Sequence, residues 1–329
     1  MNRRSAASAP GLGRLLERRL LLFTGKGGVG KSTVVAALAV EAARRGMRPL
    51  IVELGHRASM QPIFAAPRIG HEPTPVTADA TVWACNLELE RAIADHVAGQ
   101  VKVRAIARAI TGNRALQGLL RAAPAVREVV MLDALRMLER HETRGRPTWG
   151  PILVDLDATG HALMLLDMPQ LLASILAEGP LRGLVDVLTG LFTDPARTLL
   201  NLVTLPAEIP VQETLELHAR LARGAIPLGA LFVNQCPPPI DPELRRALPG
   251  LLRVAGQAGL GALAGDLELA RLAIARDEQV RGLIARLHRE VDVPLALLPR
   301  LDLHAPGLAA LRVLGHAALV ELAPAEEDA

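Results

Sequence analysis

The residues with the clearest chemical pattern lie close together near the start of the chain, in a stretch rich in glycine. Residues 25–32 fit G-x-x-x-x-G-K-[ST], a pattern in which backbone amides and a lysine surround phosphate oxygens. Lys31 is placed to contact the β- and γ-phosphates of a nucleoside triphosphate, and the Ser32 hydroxyl is placed to bind Mg²⁺. The pattern predicts a phosphate-binding loop made of Gly25, Lys26, Gly27, Gly28, Val29, Gly30, Lys31, Ser32 and Thr33.

The distribution of lysine supports this interpretation. Lys26 and Lys31 are two of only three lysines in the chain, and arginine carries almost all of the remaining positive charge. A compact ammonium suits a phosphate group better than a planar guanidinium at such a site. Their placement in one short loop therefore favours a functional role over a glycine-rich turn that holds a lysine by chance.

Regular structure on both sides of the loop is needed to position it. Residues 20–23 form a short apolar run, residues 33–45 are rich in Ala, Val and Leu without a breaker, and residues 50–52 are again apolar. Gly46 follows the middle stretch in the manner of a helix C-cap. The order strand, loop, helix, strand is a βαβ unit, which predicts parallel strands.

The rest of the chain continues this alternation. We predict an α/β fold with a doubly wound, mostly parallel sheet, a flexible N-terminus at 1–19 and one P-loop domain at 20–329 with helical insertions at about 88–148 and 166–198. Further buried strands are predicted at 82–85, 152–154, 199–204, 230–233 and 295–298. Helical stretches are predicted at 88–141, 163–191, 211–223, 260–288 and 308–322.

Composition excludes several classes of function. Aromatic residues make up 2% of the chain and tyrosine is absent, so platforms for stacking single-stranded nucleic acid are not expected. The sequence contains no run of eighteen or more apolar residues, so we expect no stable membrane insertion. Cys85 and Cys236 lie far apart and neither belongs to a CxxC pair, so we expect no zinc site, no disulfide and a cytoplasmic location.

Downstream motifs resemble one family of ATPases, the arsenite-pump (ArsA) and guided-entry-of-tail-anchored-proteins group. The run D-L-D-A-T-G-H-A-L at 155–163 is similar to the switch II motif of that family, D-T-A-P-T-G-H-T-L. The resemblance implies that Asp155, at the end of an apolar strand, holds Mg²⁺ beside Ser32. It also implies that Lys26, which makes the loop the deviant form K-G-G-x-G-K-[ST], reaches across a dimer interface to the nucleotide of the partner.

Three further segments carry the resemblance towards the base of the nucleotide. Residues 203–214 are similar to the family pattern P-E-x-x-P-x-x-E-T, and a proline-kinked connection into a helix capped by Glu213 is the alternative reading. Residues 232–235 resemble a V-N-Q motif, which implies that Asn234 reads adenine with its amide. Residues 294–299 resemble the V-P-L-L-P strand near the base, which adds Pro299 to the expected nucleotide-binding residues.

One departure from the family pattern concerns the residue that orients the attacking water. Switch I reads D-P-A-H in the family, and the aligned residues here are Glu53, Leu54, Gly55 and His56. Glu53 keeps a carboxylate but adds a methylene, and a misplacement of about 1 Å can lower a rate by about 100-fold. We expect Glu53 to orient the water, with slow hydrolysis or a purely structural strand-end role as alternatives. His56 and His161 are not assigned catalytic roles.

Taken together, these features predict an Mg²⁺-dependent ATPase that works as a dimeric switch, either as a homodimer or with a related ATPase subunit. The resemblance implies a partner or a hydrophobic, membrane-protein client, to which Met131, Met137, Met164 and Met168 offer an adaptable surface unless they pack in the core. The alternatives are a nucleotide-binding regulatory subunit with little hydrolysis, and a MinD- or ParA-like positioning ATPase. The acidic tail at 325–329 disfavours the last of these.

Overall fold

Short apolar strands flanked by helices make up the centre of the protein. The computed structural model describes residues 12–54, 58–88, 91–92, 124–156, 180–259, 261–301 and 307–320. Within these ranges eight strands form one sheet: β1 Leu20–Thr24, β2 Leu50–Leu54, β3 Thr74–Pro75, β4 Trp83–Leu87, β7 Ile152–Asp155, β8 Thr198–Thr204, β9 Leu228–Cys236 and β10 Leu295–Pro299. Their order across the sheet is β10-β9-β8-β1-β7-β2-β4-β3.

All neighbouring strands of this sheet are parallel except β3 and β4. Their side chains alternate between two cores: Leu20 and Leu22 of β1 belong to one, and Leu21 and Phe23 to the other. Sheets that are covered on both faces are apolar on both faces, which explains the near-continuous runs of Leu, Val and Ile. The predicted doubly wound, mostly parallel α/β fold is confirmed.

Helices cover the two faces in distinct groups. The helices are α1 Lys31–Arg44, α2 Met60–Phe64, α3 Pro124–Arg140, α4 Pro180–Thr193, α5 Glu208–Leu221, α6 Pro242–Gln257, α7 Gly261–Glu290 and α8 Leu308–Ala317. The face of the sheet that carries Leu21 is covered by α1 and α8, with the short α2 at its edge. The face that carries Leu20 is covered by α3, α4, α5 and α7. No helix in the described ranges is long and apolar enough to cross a bilayer.

The order of the strands fixes where a ligand can bind. After β1 the chain crosses to β2 on one side, and it later returns from β7 across β1 to β8 on the other side. Adjacent connections that leave in opposite directions open a crevice at the carboxyl ends of the strands. The loop after β1 lies at that point, so the sheet itself places the glycine-rich segment in the crevice.

The seven strands predicted from apolar runs are confirmed, and the long helix predicted at 260–288 corresponds to α7. The elements that were not predicted are α2, α6, the 3₁₀-helix at Leu12–Glu17, the two-residue strand β3 and a small hairpin formed by β5 Glu142–Thr143 and β6 Arg146–Pro147. Pro249 inside α6 reads as a helix breaker in the sequence. The start of α6 nevertheless carries a clear signal, because Asp241 accepts a hydrogen bond from the Glu243 amide and a proline occupies the first turn.

Part of the N-terminal segment packs against the domain. Leu12–Glu17 form a 3₁₀-helix, and Leu15 and Leu16 are buried in the same core as Phe23. The domain boundaries and the extent of the two helical insertions remain predictions, since 93–123 and 157–179 lie outside the described residues. Among the methionines, Met131 is buried in the core of the Leu20 face and Met137 is 40% exposed, whereas Met164 and Met168 lie outside the described residues.

Candidate functional site

The loop between β1 and α1 has a backbone that only glycine adopts easily. Gly28 and Gly30 have φ angles of 85° and 86°, in the left-handed region. A Cβ on Gly25 would lie 2.2 Å from the carbonyl oxygen of Val203, and one on Gly30 would lie 2.3 Å from Nδ2 of Asn234. Because Gly25 and Gly30 carry no side chain, β8 and β9 can approach the loop closely. The loop amides then remain near the start of α1.

The N-terminus of α1 is open to an anion. Within the part of the chain that the structure describes, no side chain caps this terminus, and its first turn contains no acidic residue. The unsatisfied amides and the helix dipole therefore favour negative charge at this position. Thr33 lies in the same first turn, half-buried beside Ser32.

Lys31 extends back over the loop. Its Nζ donates to the carbonyl oxygens of Gly25 and Lys26, at 3.1 and 3.2 Å. The ammonium is therefore held above the concave side of the loop by backbone oxygens that also fix the loop's curvature. This arrangement places a full positive charge where the open amides of α1 already favour an anion.

Ser32 and Asp155 form the second polar contact of the site. The Ser32 hydroxyl donates to Oδ2 of Asp155 at 2.5 Å, and Asp155 is 9% exposed. Asp155 ends β7 in register with Phe23 of β1, so the central pair of parallel strands brings the carboxylate to the first turn of α1. A hydroxyl and a carboxylate are the oxygen donors that Mg²⁺ prefers.

Glu53 lies beside Asp155, in register with it on the neighbouring strand β2. Its side chain is buried, and Oε1 accepts the backbone amides of Ser59 and Met60 at 2.6 and 3.1 Å. Oε2 is buried, and no described residue forms a hydrogen bond with it. Burial, together with the nearby negative charge of Asp155, raises the pKa of Glu53 to about 7 even though the two amides oppose the shift. Glu53 thus anchors the start of α2 and is costly to ionise.

Lys26 contacts a helix of its own chain. Its Nζ lies 2.6 Å from Oε1 of Glu213, and both side chains are 43% exposed. Because α5 begins at Glu208, Glu213 lies in the second turn and faces the phosphate loop. The alternative reading of Glu213 as a helix cap is therefore wrong, and the role of this residue as a partner of Lys26 was missed by the sequence analysis.

Asn234 reaches the loop from the end of β9. It is 4% exposed, its Nδ2 donates to the Val29 carbonyl oxygen at 2.9 Å, and its Oδ1 accepts the amide of Gln235. Pro299 pairs with Cys236 where β10 ends, beside the end of β9. All predicted site residues are therefore at the carboxyl edge of the sheet, while His56 and His161 lie outside the described residues.

Comparisons with known proteins show the family to which the chain belongs. The model of the anion-transporting ATPase family (ArsA ATPase) matches residues 18–188, about half of the chain. ATPase BagA of Mycobacterium tuberculosis is 29% identical over 300 residues, which cover 88% of each chain. ATPase GET3C of Arabidopsis thaliana is 23% identical over 82% of this chain and 80% of its own.

A third relative covers a smaller part of its own length. The arsenical pump-driving ATPase of Escherichia coli is 29% identical over 231 residues, which cover 66% of this chain and 35% of that protein. The family match begins just before β1 and includes the phosphate loop, Glu53 and Asp155. With an α/β fold, a glycine loop at the crevice and this match, the chain belongs to the ArsA and GET3 family of ATPases.

Proposed function

We propose that this protein binds and hydrolyses ATP with Mg²⁺ in the cytoplasm and works as a dimeric switch whose nucleotide state controls the binding of a partner or hydrophobic client. The observation that carries the proposal is the joint placement of Lys31, the open amides of α1 and the Ser32–Asp155 pair around one concave loop. Three independent features there favour a polyphosphate with a divalent cation.

In this proposal the loop residues hold the triphosphate. The amides of residues 25–33 donate to phosphate oxygens, and the Lys31 ammonium exchanges its carbonyl partners for the β- and γ-phosphates. Ser32 and Asp155 would hold Mg²⁺, directly or through water, and their hydrogen bond already sets both oxygens side by side. The cation would neutralise the negative charge that develops between the β- and γ-phosphates.

Glu53 is the residue that we assign to the attacking water. Its Oε2 has no partner within the described residues and lies next to the Asp155 strand end, so one oxygen remains for a water while the other anchors α2. An oxygen held by two amides is poorly placed to move. This anchoring favours the second candidate function, a regulatory subunit that binds nucleotide and hydrolyses it slowly.

Lys26 is the residue that we assign to the dimer. At 2.6 Å from Glu213 its ammonium is neutralised within its own chain, and both partners are solvent-accessible. An exposed pair of this kind contributes about 0–1 kcal/mol, so a phosphate group can replace Glu213 at little cost. We propose that assembly with a second ATPase subunit moves Lys26 from Glu213 to the nucleotide of that subunit, where it stabilises transition-state charge.

We assign the base to the ends of β9 and β10, with Asn234 and Pro299 nearest to adenine. The client remains the least specified part of the proposal. Met131 is a core residue, which leaves the exposed Met137 as the described methionine that could contact a client from α3. Neither zinc nor nucleic acid is part of the proposed function.

The test is Lys31→Ala, with Arg271→Ala as a control that removes a cation from the exposed surface of α7. Hydrogen bonds to charged groups contribute about 1.5–3 kcal/mol, so Lys31→Ala should weaken Mg-ATP binding by roughly 10- to 150-fold in titration calorimetry. Arg271→Ala should leave it unchanged. Undiminished affinity in Lys31→Ala, or no Mg-ATP binding by the wild type, would refute the proposal. Phosphate release by the wild type separates the ATPase from the regulatory subunit.

A further inference from the structure

The side chain of Asn234 is engaged with the phosphate loop rather than being free to face a base. Nδ2 donates to the carbonyl oxygen of Val29, and Oδ1 accepts the amide of the next residue, Gln235, both at 2.9 Å. The residue is 4% exposed, so these contacts are made out of water. Buried hydrogen bonds of this kind fix the position of both groups, because breaking one leaves an unsatisfied polar atom.

The close approach of Asn234 requires a glycine at position 30. A Cβ at position 30 would lie 2.3 Å from Nδ2 and 3.6 Å from Cγ of Asn234, so the amide occupies the space that any side chain would need. Val29, whose carbonyl oxygen receives the hydrogen bond, is 1% exposed and belongs to the core of α1. Asn234 therefore contacts the loop two residues before Lys31, the first residue of α1, and at a buried position.

The backbone of β9 is distorted at the same place. Gln235 has a φ angle of 58°, which is unfavourable for a residue with a side chain, and the pairing of β9 with β10 shifts register between Leu297 and Pro299. Strain of this kind persists where the surrounding structure fixes it, which is common at functional sites.

We propose that Asn234 is a positioning residue for the phosphate loop, and that it couples the end of β9 to the loop before any contact with the base. The inference rests on the proposed nucleotide binding and deepens it. One N–H of Nδ2 and one lone pair of Oδ1 remain for a base, so an additional base contact is compatible with the hydrogen-bonding capacity of the amide. The specific claim is that phosphate affinity itself depends on Asn234.

The test compares two ligands that differ in the base. Tripolyphosphate carries the phosphates of ATP without adenosine, so a residue that only reads adenine cannot affect its binding. If Asn234 positions the loop, Asn234→Ala weakens Mg-ATP and Mg-tripolyphosphate by the same factor, roughly tenfold for one lost buried hydrogen bond. The ratio of the two affinities then stays at the wild-type value. General destabilisation would not change either affinity well below the unfolding temperature.

Arg271→Ala is the control, because it removes an exposed side chain of α7 that has no part in the contacts of Asn234. It should leave tripolyphosphate binding unchanged. Circular dichroism checks folding, and Asn234→Ser, which retains a polar group, carries the test if Asn234→Ala does not fold. A loss confined to ATP overturns the inference and leaves the proposed function intact. A wild type that binds neither ligand overturns both.

Discussion

Replacing Glu53 with glutamine should stabilise the protein at neutral and alkaline pH while it removes a group proposed to act on water. In the folded protein the Glu53 carboxylate is buried beside Asp155, and Oε2 has no hydrogen-bond partner among the residues that the structure describes. A glutamine can keep the oxygen that accepts the Ser59 and Met60 amides. Its Nε2 would then occupy the position of Oε2 and could donate to Asp155 instead of repelling it.

The magnitude follows from the pKa of Glu53, which is raised from 4.5 to about 7. At about 1.4 kcal/mol per pH unit, ionising this carboxyl in the folded protein costs about 3 kcal/mol above pH 7. A raised folded-state pKa means that stability is fully present below pH 4.5 and is lost as the pH rises through 7. Solvation and relaxation reduce the effect, so we expect Glu53→Gln to be more stable by about 1–3 kcal/mol at pH 8 and equal to the wild type near pH 4.5.

The assay is urea unfolding at pH 5 and pH 8 without nucleotide and with EDTA. The informative quantity is the difference between the variant and the wild type, since other groups titrate equally in both. Glu142→Gln, on the exposed hairpin, controls for the loss of one surface carboxylate and should leave the free energy of unfolding unchanged. A Glu53→Gln protein that is no more stable than the wild type at pH 8 would refute the reasoning. Phosphate release by the same variant, if it matched the wild type, would refute the role of Glu53 on water.

Two further predictions concern helix packing at Gly315 and the role of Lys26 in the phosphate loop. Gly315→Ala should lower the free energy of unfolding by about 1–3 kcal/mol, because its Cβ would lie 2.3 Å from the Ala37 carbonyl oxygen. Gly282→Ala, with no atom within 4 Å, should raise it by up to about 1 kcal/mol, and urea unfolding distinguishes the two. Lys26→Ala should change stability by less than about 1 kcal/mol but lower ATP turnover at least about tenfold, whereas Glu213→Gln, which releases the ammonium, should retain turnover. Equal turnover in Lys26→Ala and the wild type would contradict the proposed role in the dimer.

The sheet and the phosphate loop could be predicted from the sequence because each depends on local signals. Apolar runs such as 20–23 and 152–154 are buried on both faces of a parallel sheet, and a glycine pattern with a lysine defines the loop chemistry. Strand order then brings Asp155 to Ser32 without further information. The confirmed strands all carry these signals.

The partners of individual side chains could not be predicted in the same way. Glu213 meets Lys26 across 187 residues of chain, and Asn234 meets Val29 across 205. Such contacts depend on the rotation of α5 and on where the end of β9 lies against the phosphate loop, and neither leaves a periodic trace in the sequence. The burial of Glu53 is also a property of the assembled sheet, since its partners at Ser59 and Met60 are local but its neighbour Asp155 belongs to a strand 100 residues further along the chain.

The close packing of α8 on α1 at Gly315 has a consequence for biosynthesis. The helix that follows the phosphate loop, α1, is translated before the helix that covers it, which ends at Ala317. At about 5–20 residues per second, the roughly 260 residues between them take on the order of 13–50 s to translate. During that interval the side of α1 that packs against α8 is uncovered in the nascent protein, so we expect α1 to be fully packed only after α8 docks.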